Sequence, residues 1–321
     1  MTPVILDVTL RDGGYVNNHE FDISQAKYIV SGLSRANVPN IEVGYFRPWL
    51  AEDPERPATR CPIDYLRGLS DCAGHSSLVV MMHPRQASPG NYEKLVDAGV
   101  SLVRLALKPD DVEILDTHLR AIHRCGLKCS VNLIRVSELP LDLILSTAAR
   151  LERMGADVFY IADSNGSLLP DGVSLIIKGL ASVLKIPVGF HAHDGLRLAF
   201  ANTLAAIEGG ATYIDSSLGG MGKSGGNLVT ELIAIYLNKR YGATYGISGL
   251  GNLSENQLAK WIGPGGVAKC EHAMAAVLNW NIDNIAASKE AAVREQRPFI
   301  TAIEAQLSKS AGAAAVTNVG G

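Results

Sequence analysis

Eight short apolar runs recur along this chain, and most are followed by a segment in which apolar residues have helical spacing. The runs start roughly 30 residues apart, the length of one strand–helix unit. They are Val4–Leu10, Ile41–Tyr45, Ser77–Met82, Ser101–Leu107, Lys128–Ile134, Val158–Ala162, Pro187–His193 and Tyr213–Leu218. The clearest helical segments are Asp22–Ala36, Asp111–Cys125, Ser137–Met154, Pro170–Leu184, Arg197–Glu208 and Asn227–Tyr241. This pattern predicts an α/β fold, a (β/α)8 TIM barrel; an open doubly wound sheet is disfavoured because no G-x-G-x-x-G follows the first run.

Composition and charge limit the class of protein. The 321 residues are 47% hydrophobic and 19% charged, which is ample material for a core. The net charge of −3 gives no reason to expect a nucleic-acid partner. No uncharged apolar stretch is long enough to span a bilayer, and no secretory pattern is visible. The five cysteines lack C-x-x-C spacing, so we expect reduced thiols in a cytoplasmic protein without a membrane partner.

Polar residues gather where the apolar runs end. They are Arg11, Asp12, Glu42, Arg47, His83, Arg85, Lys108, Asn132, Arg135, Asp163, Ser164, Asn165, His191 and His193. The active sites of TIM barrels lie at the carboxyl ends of the strands. We therefore expect one catalytic rim built from these side chains.

Two histidines in this set have the spacing of metal ligands. His191 and His193 are two residues apart at the end of a strand, so their side chains point to the same side. Taken alone, this pair is better interpreted as two hydrogen-bonded histidines. Asp12 adds a hard oxygen donor if the first and seventh strands lie close together. An O,N,N site with open positions suits Mn²⁺, Mg²⁺, Zn²⁺ or Fe²⁺ as a Lewis acid.

Two further features bear on substrate binding. Arg11 precedes Asp12 and carries a rigid guanidinium fork that suits a carboxylate or an enolate. A glycine-rich segment, 219–227, follows the last strand, but it is not a P-loop because Ser217 occupies the place of the first glycine. Its glycines either close over a substrate carboxylate or phosphate, or form a plain turn before a helix.

Several motifs appear in the order seen in one superfamily. They are Thr9–Gly13, Ile41–Gly44, Asp163–Gly166, His191–Asp194, Gly220–Gly222 and Gly226–Asn227. The chain resembles the DRE-TIM metallolyases, or HMG-CoA-lyase-like enzymes, over about residues 4–241. Within that superfamily it is most similar to 4-hydroxy-2-oxovalerate aldolase-like proteins, mainly through Leu218–Gly222 and the Gly-Asn pair that follows.

The resemblance implies an enzyme that cleaves or forms a carbon–carbon bond next to a 2-oxo acid. It implies Asp12, His191, His193 and Asn227 as metal ligands, with Mn²⁺ or Mg²⁺ expected first and Zn²⁺ or Co²⁺ as alternatives. It also places Arg11 against the enolate oxygen and Glu42 where it orients Arg11 or a water. Asn165, Gly220 and Gly222 are expected to bind substrate.

One departure from the aldolase pattern concerns the catalytic base. Where these aldolases place a catalytic histidine, this chain has Tyr15, which we include among the catalytic candidates. A phenol is a poor base at neutral pH, so Tyr15 either works differently or gives the role to His83 or His19. HMG-CoA lyase has a cysteine in the loop after strand eight, where this chain has Met221, so activity on HMG-CoA is not expected.

The pattern changes after Tyr241. We predict a catalytic barrel over residues 1–245, a helical appendage over 246–308 and a flexible tail over 309–321. The expected helices of the appendage are Asn256–Trp261, Glu271–Asn279 and Lys289–Ser308. In the aldolases this region docks an aldehyde dehydrogenase, which makes that enzyme a candidate partner, and we also expect a homo-oligomer.

The leading hypothesis is a metal-dependent aldolase acting on pyruvate or another 2-oxo acid and an aldehyde. An acyl-CoA condensing enzyme of the citramalate or homocitrate synthase type would use the same ligands. A non-catalytic metal-binding barrel is a third interpretation. A lysine-dependent aldolase is also considered, because Lys108 lies directly at a strand end.

Overall fold

Eight parallel strands form a closed barrel in chain order. The computed structural model describes residues 2–87, 92–223, 225–262, 278 and 282–307. The strands are β1 (Val4–Asp7), β2 (Asn40–Tyr45), β3 (Ser77–Met82), β4 (Val100–Leu107), β5 (Lys128–Leu133), β6 (Val158–Asp163), β7 (Val188–Ala192) and β8 (Tyr213–Ser216). β1 pairs with both β2 and β8, which closes the barrel. The predicted TIM barrel is confirmed.

Helices connect successive strands. They are α1 (Ile23–Arg35), α2 (Ile63–Ser70), α3 (Tyr92–Asp97), α4 (Val112–Arg124), α5 (Leu141–Arg153), α6 (Pro170–Val183), α7 (Ala199–Gly209) and α8 (Thr230–Tyr241), followed by α9 (Ile247–Asn252), α10 (Ala259–Ile262) and α11 (Ile282–Arg294). The sequence did not indicate α2 and α3, which have only eight and six residues. Helices this short show too few turns for a helical period to stand out.

The strands alternate between a helix-facing core and the barrel interior. On β4, Val103, Leu105 and Leu107 pack in the large core between strands and helices. Leu102 and Ala106 belong to two smaller clusters inside the barrel. Successive side chains of β4 thus point alternately toward the helices and into the barrel, as expected for a strand. The interior position between Leu102 and Ala106 is filled by a buried arginine, and the functional site is built above it.

Three of the differences between predicted and observed element ends affect the candidate site. β1 ends at Asp7 rather than Leu10, because the Asp7 carboxylate accepts hydrogen bonds from the backbone N–H and the hydroxyl of Thr9 and curls the chain. The turn that follows includes Asp12, whose N–H donates to the Val8 carbonyl over 2.8 Å. β7 ends one residue before His193, and α8 begins at Thr230 rather than Asn227. His193 and Asn227 instead form an isolated antiparallel bridge.

Helices after the barrel pack against it. Leu250, Leu253 and Ile303 belong to the same core as the barrel helices. The single helix predicted over Lys289–Ser308 is wrong: α11 ends at Arg294 and helix resumes over 299–307, because Pro298 cannot continue the earlier helix.

Parts of the C-terminal predictions are not tested. Most of the predicted helix Glu271–Asn279 and the whole tail 309–321 lie outside the described residues, and the boundaries at 245 and 308 stay predictions. Within the described residues, no helix is long and apolar enough to cross a membrane.

Close packing inside the barrel predicts a measurable effect at Gly189. A Cβ at Gly189 would lie 2.4 Å from ring atoms of Tyr160, which is fully buried. Gly189→Ala should therefore lower the free energy of unfolding by about 1–3 kcal/mol, measured by chemical denaturation. Gly172→Ala on α6 is the control, since nothing lies within 4 Å of its Cβ position, and it should be neutral or slightly stabilising. Equal stabilities of the two variants would contradict this packing.

Candidate active site and metal centre

Three predicted ligands come together at the carboxyl end of the barrel. One ligand atom each from Asp12, His191 and His193 lies within 4.8 Å of the others, and all three residues are buried. The Nε2 atoms of the two histidines are 3.4 Å apart. Asp12 lies in the turn after β1, and His191 lies on β7. His193 is the first residue after β7. The arrangement can present one oxygen and two nitrogens to a single ion.

Hydrogen bonds to the opposite ring nitrogens orient both imidazoles. His191 Nδ1 lies 3.0 Å from Asp215 Oδ2, and His193 Nδ1 lies 3.2 Å from the Gly226 carbonyl oxygen. Both partners are acceptors, so each Nδ1 carries the hydrogen. The lone pair of each Nε2 is therefore free to bind a metal, and a partner on the second ring nitrogen is typical of metal-binding histidines.

The protonation states also suit a cation. Burial acts to raise the pKa of Asp12, but the charge on Arg11 and the nearby imidazoles hold it well below its usual range. Burial and the neighbouring His191 lower the pKa of His193 to about 4. At neutral pH the site therefore offers a carboxylate and a neutral imidazole, the forms that bind metal.

Asn227 offers a fourth candidate ligand atom, its amide oxygen. Its Nδ2 donates to Asp12 Oδ1 over 3.2 Å and to the Met221 carbonyl over 2.9 Å. Its Oδ1 is buried and has no hydrogen-bond partner among the residues that the structure describes. A buried acceptor without a donor is costly unless a ligand binds it. The donor set of carboxylate, two imidazoles and amide oxygen fits a divalent cation.

The glycines predicted to bind substrate make room for Asn227 instead. A Cβ at Gly222 would lie 2.4 Å from Asn227 Nδ2, and the Gly220 carbonyl accepts from the Asn227 backbone N–H over 2.9 Å. Neither Gly220 nor Gly222 lines the pocket above the metal ligands. A side chain at position 222 would displace the Asn227 amide.

Arg11 is held between two acids. Its Nε donates to Glu42 Oε2 over 2.5 Å, and its Nη1 donates to Asp12 Oδ2. Burial acts to lower the pKa of Arg11, but Glu42 and Asp12 hold it well above its usual value. The guanidinium is therefore charged and fixed in direction beside the metal ligands, and Glu42 contacts Arg11 in the manner that the resemblance implies.

Beneath the site, buried charges connect Arg11 to His191. Arg104 on β4 is fully buried, with Nη2 2.6 Å from Asp215 Oδ2 and Nη1 3.3 Å from Glu42 Oε2. Asp215 in turn accepts from His191. We did not single out Arg104 or Asp215 from the sequence. The sequence did contain a signal for them: each is a charged residue within an apolar strand. Because side chains of a strand alternate between its two faces, their positions place them inside the barrel.

A pocket of about 160 Å³ lies over the ligands. Its lining residues are Arg11, Asp12, Tyr15, Tyr45, Met81, His83, Ala106, Asn132, Ile134, Arg135, Ala162, Ser164, His191, His193 and Lys223. At the end of β6 the lining residue is Ser164 rather than the predicted Asn165. Asn165 is exposed and donates to Ser137 Oγ and Glu138 Oε1 over 3.2 and 3.0 Å. The structure does not bring Asn165 to the pocket, because the chain turns away at the strand end.

The candidate proton carriers occupy different positions. The hydroxyl of Tyr15 lies 3.0 Å from that of Tyr45, and both tyrosines line the pocket. His83 also lines the pocket and stacks on Tyr45, with ring centroids 5.8 Å apart. His19 is buried against Gly14 and does not line the pocket. Burial is the main cause that lowers the pKa values of His83 and His19 to about 4.

The lysines are arranged differently from the sequence-based expectation. Lys108 lines a neighbouring chamber of about 380 Å³ rather than the metal pocket. Lys223, which we did not single out, lines the metal pocket, and its Nζ lies 4.9 Å from the centroid of the Tyr15 ring. The geometry therefore gives no support to Lys108 as the amine of a Schiff-base aldolase.

Known proteins share this fold and sequence pattern. The 4-hydroxy-2-oxovalerate aldolase of Thermomicrobium roseum is 34% identical over 238 residues, covering 74% of this chain and 67% of the relative. That of Carboxydothermus hydrogenoformans is 33% identical over 244 residues, covering 73% and 70%. The hydroxymethylglutaryl-CoA lyase structure from Pseudomonas aeruginosa matches with a TM-score of 0.72 at 18% identity, covering 86% of this chain and 98% of the lyase. That last likeness shows the shared fold alone.

A family model agrees with the geometry of the site. The HMGL-like model matches residues 2–248, which include every strand of the barrel and all the metal-ligand candidates. The match covers both the turn that carries Asp12 and the loop that carries Asn227. The chain belongs to the HMGL-like family.

Proposed function

We propose that the protein is a divalent-metal-dependent, class II aldolase that cleaves or forms a carbon–carbon bond between a pyruvate-type enolate and an aldehyde. The observation that carries the proposal is the fixed Arg11 guanidinium beside Asp12, His191 and His193 in one pocket. The aldolases that are 33–34% identical to this chain support the same activity. Mn²⁺ or Mg²⁺ is the proposed metal. A homo-oligomer and a dehydrogenase partner rest on the resemblance alone and stay predictions.

In the cleavage direction, the substrate hydroxyl loses its proton and the bond between its carbon and the neighbouring carbon of the 2-oxo acid breaks. The bond electrons pass into the 2-oxo acid fragment as an enolate, which then takes a proton at the methyl carbon. When bound, the cation withdraws charge from the keto oxygen. Arg11 stabilises the charge that develops on the same oxygen.

The surrounding residues hold Arg11 and the imidazoles in place. Glu42 fixes the Arg11 fork, and Asp215 fixes the ring of His191. Because these supports are buried, the donors need little rearrangement as charge develops, which is the main source of electrostatic catalysis. Tyr15 and His83 are the pocket residues available to carry the hydroxyl proton.

Exchange of pyruvate protons tests the reaction class. The protein with Mn²⁺ or Mg²⁺ should exchange the methyl protons of pyruvate in deuterated water without any CoA thioester, followed by NMR. Arg11→Lys should slow exchange by roughly a hundredfold, because lysine keeps the charge but loses the fork. Thiol release from acetyl-CoA and a 2-oxo acid without this exchange would favour the condensing enzyme. Metal binding with neither activity would favour a binding protein.

Metal content tests the ligand set. Purified protein should bind about one divalent ion per chain, and His191→Ala should lose it, as measured by elemental analysis after gel filtration. His75→Ala is the matched control, since His75 is exposed before β3 at the opposite end of the barrel. If His191→Ala kept stoichiometric metal and activity, the assignment would be wrong.

The role of Tyr15 can be separated from that of the enolate site. We expect Tyr15→Phe to change the KM for the aldehyde more than kcat and to leave the shape of the pH–rate profile unchanged. The reason is that Tyr15 shapes the pocket through its contact with Tyr45, so its substitution should change aldehyde binding more than proton transfer. Tyr28→Phe on α1 is the control. If Tyr15→Phe, but not Tyr28→Phe, removed one limb of the pH–rate profile, Tyr15 would instead be identified as the proton carrier.

A further inference from the structure

Two cations line the metal pocket without an acidic partner. Arg135 follows β5 and Lys223 lies in the loop after β8, and both are exposed at the pocket mouth. Neither side chain forms an ion pair or hydrogen bond with any residue in the described part of the chain. Exposed cations are common on protein surfaces, so exposure alone does not indicate a ligand. The balance of the other charges in the pocket shows whether these two cations leave an excess of positive charge.

The other charged groups in and beneath the pocket are two arginines and three acids, which leaves one net negative charge. Arg11 is paired with Asp12 and Glu42, and Arg104 below it is paired with Glu42 and Asp215. Asp12 is the one acid among the described residues that line the pocket. A divalent cation and the carboxylate of one 2-oxo acid would together add one positive charge, which this negative charge offsets. The charges of Arg135 and Lys223 then remain unmatched where the second substrate must enter.

Arg135 is held in an unusual backbone conformation. Its φ is +58° and its ψ is 38°, a left-handed region that residues other than glycine seldom adopt. Its backbone N–H donates to Ser164 Oγ over 2.9 Å, and Ser164 also lines the pocket. Strained backbone of this kind is concentrated at functional sites. The conformation fixes the point from which the Arg135 side chain leaves the chain.

A second cavity adjoins the metal pocket. The neighbouring chamber of about 380 Å³ shares His83, Ala106 and Ile134 with the metal pocket. Its own cations, Arg85 and Lys108, share the chamber with Asp110 and Asp111. The excess of positive charge is therefore confined to the mouth of the metal pocket, at Arg135 and Lys223.

We propose that the aldehyde substrate carries an anionic group, a carboxylate or a phosphate, which Arg135 binds at the pocket mouth with Lys223 as a second cation. The proposal rests on the proposed aldolase function. Arg135 is the main contact, because its fork matches two oxygens of either anion and its backbone is fixed. Lys223 acts as a point charge on a flexible stem.

Matched pairs of aldehydes test the proposal in the intact, metal-loaded enzyme. Condensation with pyruvate is compared for 4-oxobutanoate against butanal, and for glyceraldehyde 3-phosphate against glyceraldehyde. We expect kcat/KM to favour the anionic member of at least one pair by roughly tenfold or more. The pair that shows the preference identifies carboxylate or phosphate as the group that is bound.

Variants assign the preference to residues. Arg135→Gln should abolish most of it, Arg135→Lys should keep part of it, and Lys223→Gln should have the smaller effect of the two glutamine variants. All three should reduce condensation with anionic aldehydes much more than condensation with neutral aldehydes or exchange of pyruvate protons. Lys178→Gln removes the same charge from the exposed surface of α6 and should leave the preference unchanged.

Three outcomes would overturn the proposal while the aldolase function stands. The wild-type enzyme could condense neutral and anionic aldehydes equally well. Arg135→Gln could raise the KM for pyruvate or slow proton exchange, which would show that Arg135 binds the carboxylate of pyruvate. Lys178→Gln could reduce the preference as much as Arg135→Gln. Absence of both exchange and condensation in the wild type would instead overturn the aldolase function and this proposal with it.

Discussion

The site depends on a buried arginine that two acids share. Arg104 lies in the barrel interior with no exposure, and its guanidinium contacts both Glu42 and Asp215. Each acid also holds a residue of the site, since Glu42 accepts from Arg11 and Asp215 accepts from His191. Removing one partner of a buried ion pair costs about 3–5 kcal/mol, so these contacts are strongly interdependent. Arg104 therefore helps to orient both the Arg11 guanidinium and the His191 ring, through Glu42 and Asp215 respectively.

This arrangement explains how a stable barrel carries a polar site. Leu6 pairs with Asp215 and Val79 pairs with Glu42 in the strand register. Leu6, Val8, Val79 and Leu102 therefore form an apolar cluster inside the barrel beside the charged layer. Above it, the strand ends and loops present the metal ligands and the pocket. The Arg104 guanidinium carbon lies over the aromatic face of Tyr160, 4.3 Å from the ring centroid, which favours the buried positive charge. The buried charged groups thus form ion pairs with one another, and the polar groups at the strand ends line the pocket.

The sequence predicted the strands well because buried parallel strands are near-continuous apolar runs. It also identified Asp12, His191 and His193, because strand ends and period-two spacing determine which side chains can meet. It did not determine where loop residues lie. Asn165 lies outside the pocket, and Gly220 and Gly222 contact Asn227. Periodicity does not describe the direction in which a loop side chain points.

Other residues were missed for a different reason. Arg104 and Asp215 carry no motif of their own, and only their pairing in three dimensions shows what they do. Lys223 lies in a loop whose path over Tyr15 is visible only in the folded protein. The length of β1 was overestimated because the hydrogen bonds from Thr9 to the Asp7 carboxylate end the strand early. The apolar residues Val8 and Leu10 had suggested that the strand continued to Leu10.

One divalent cation should bind where Asp12, His191 and His193 meet, and anomalous X-ray diffraction from crystals soaked in Mn²⁺ would locate it. We expect one strong peak at coordination distance, about 2.0–2.3 Å, from an Asp12 carboxylate oxygen and from Nε2 of both histidines. Asp215 and Gly226 should keep their contacts with the two Nδ1 atoms. A peak bound through Nδ1, a peak elsewhere on the rim, or no peak at saturating Mn²⁺ would contradict the account.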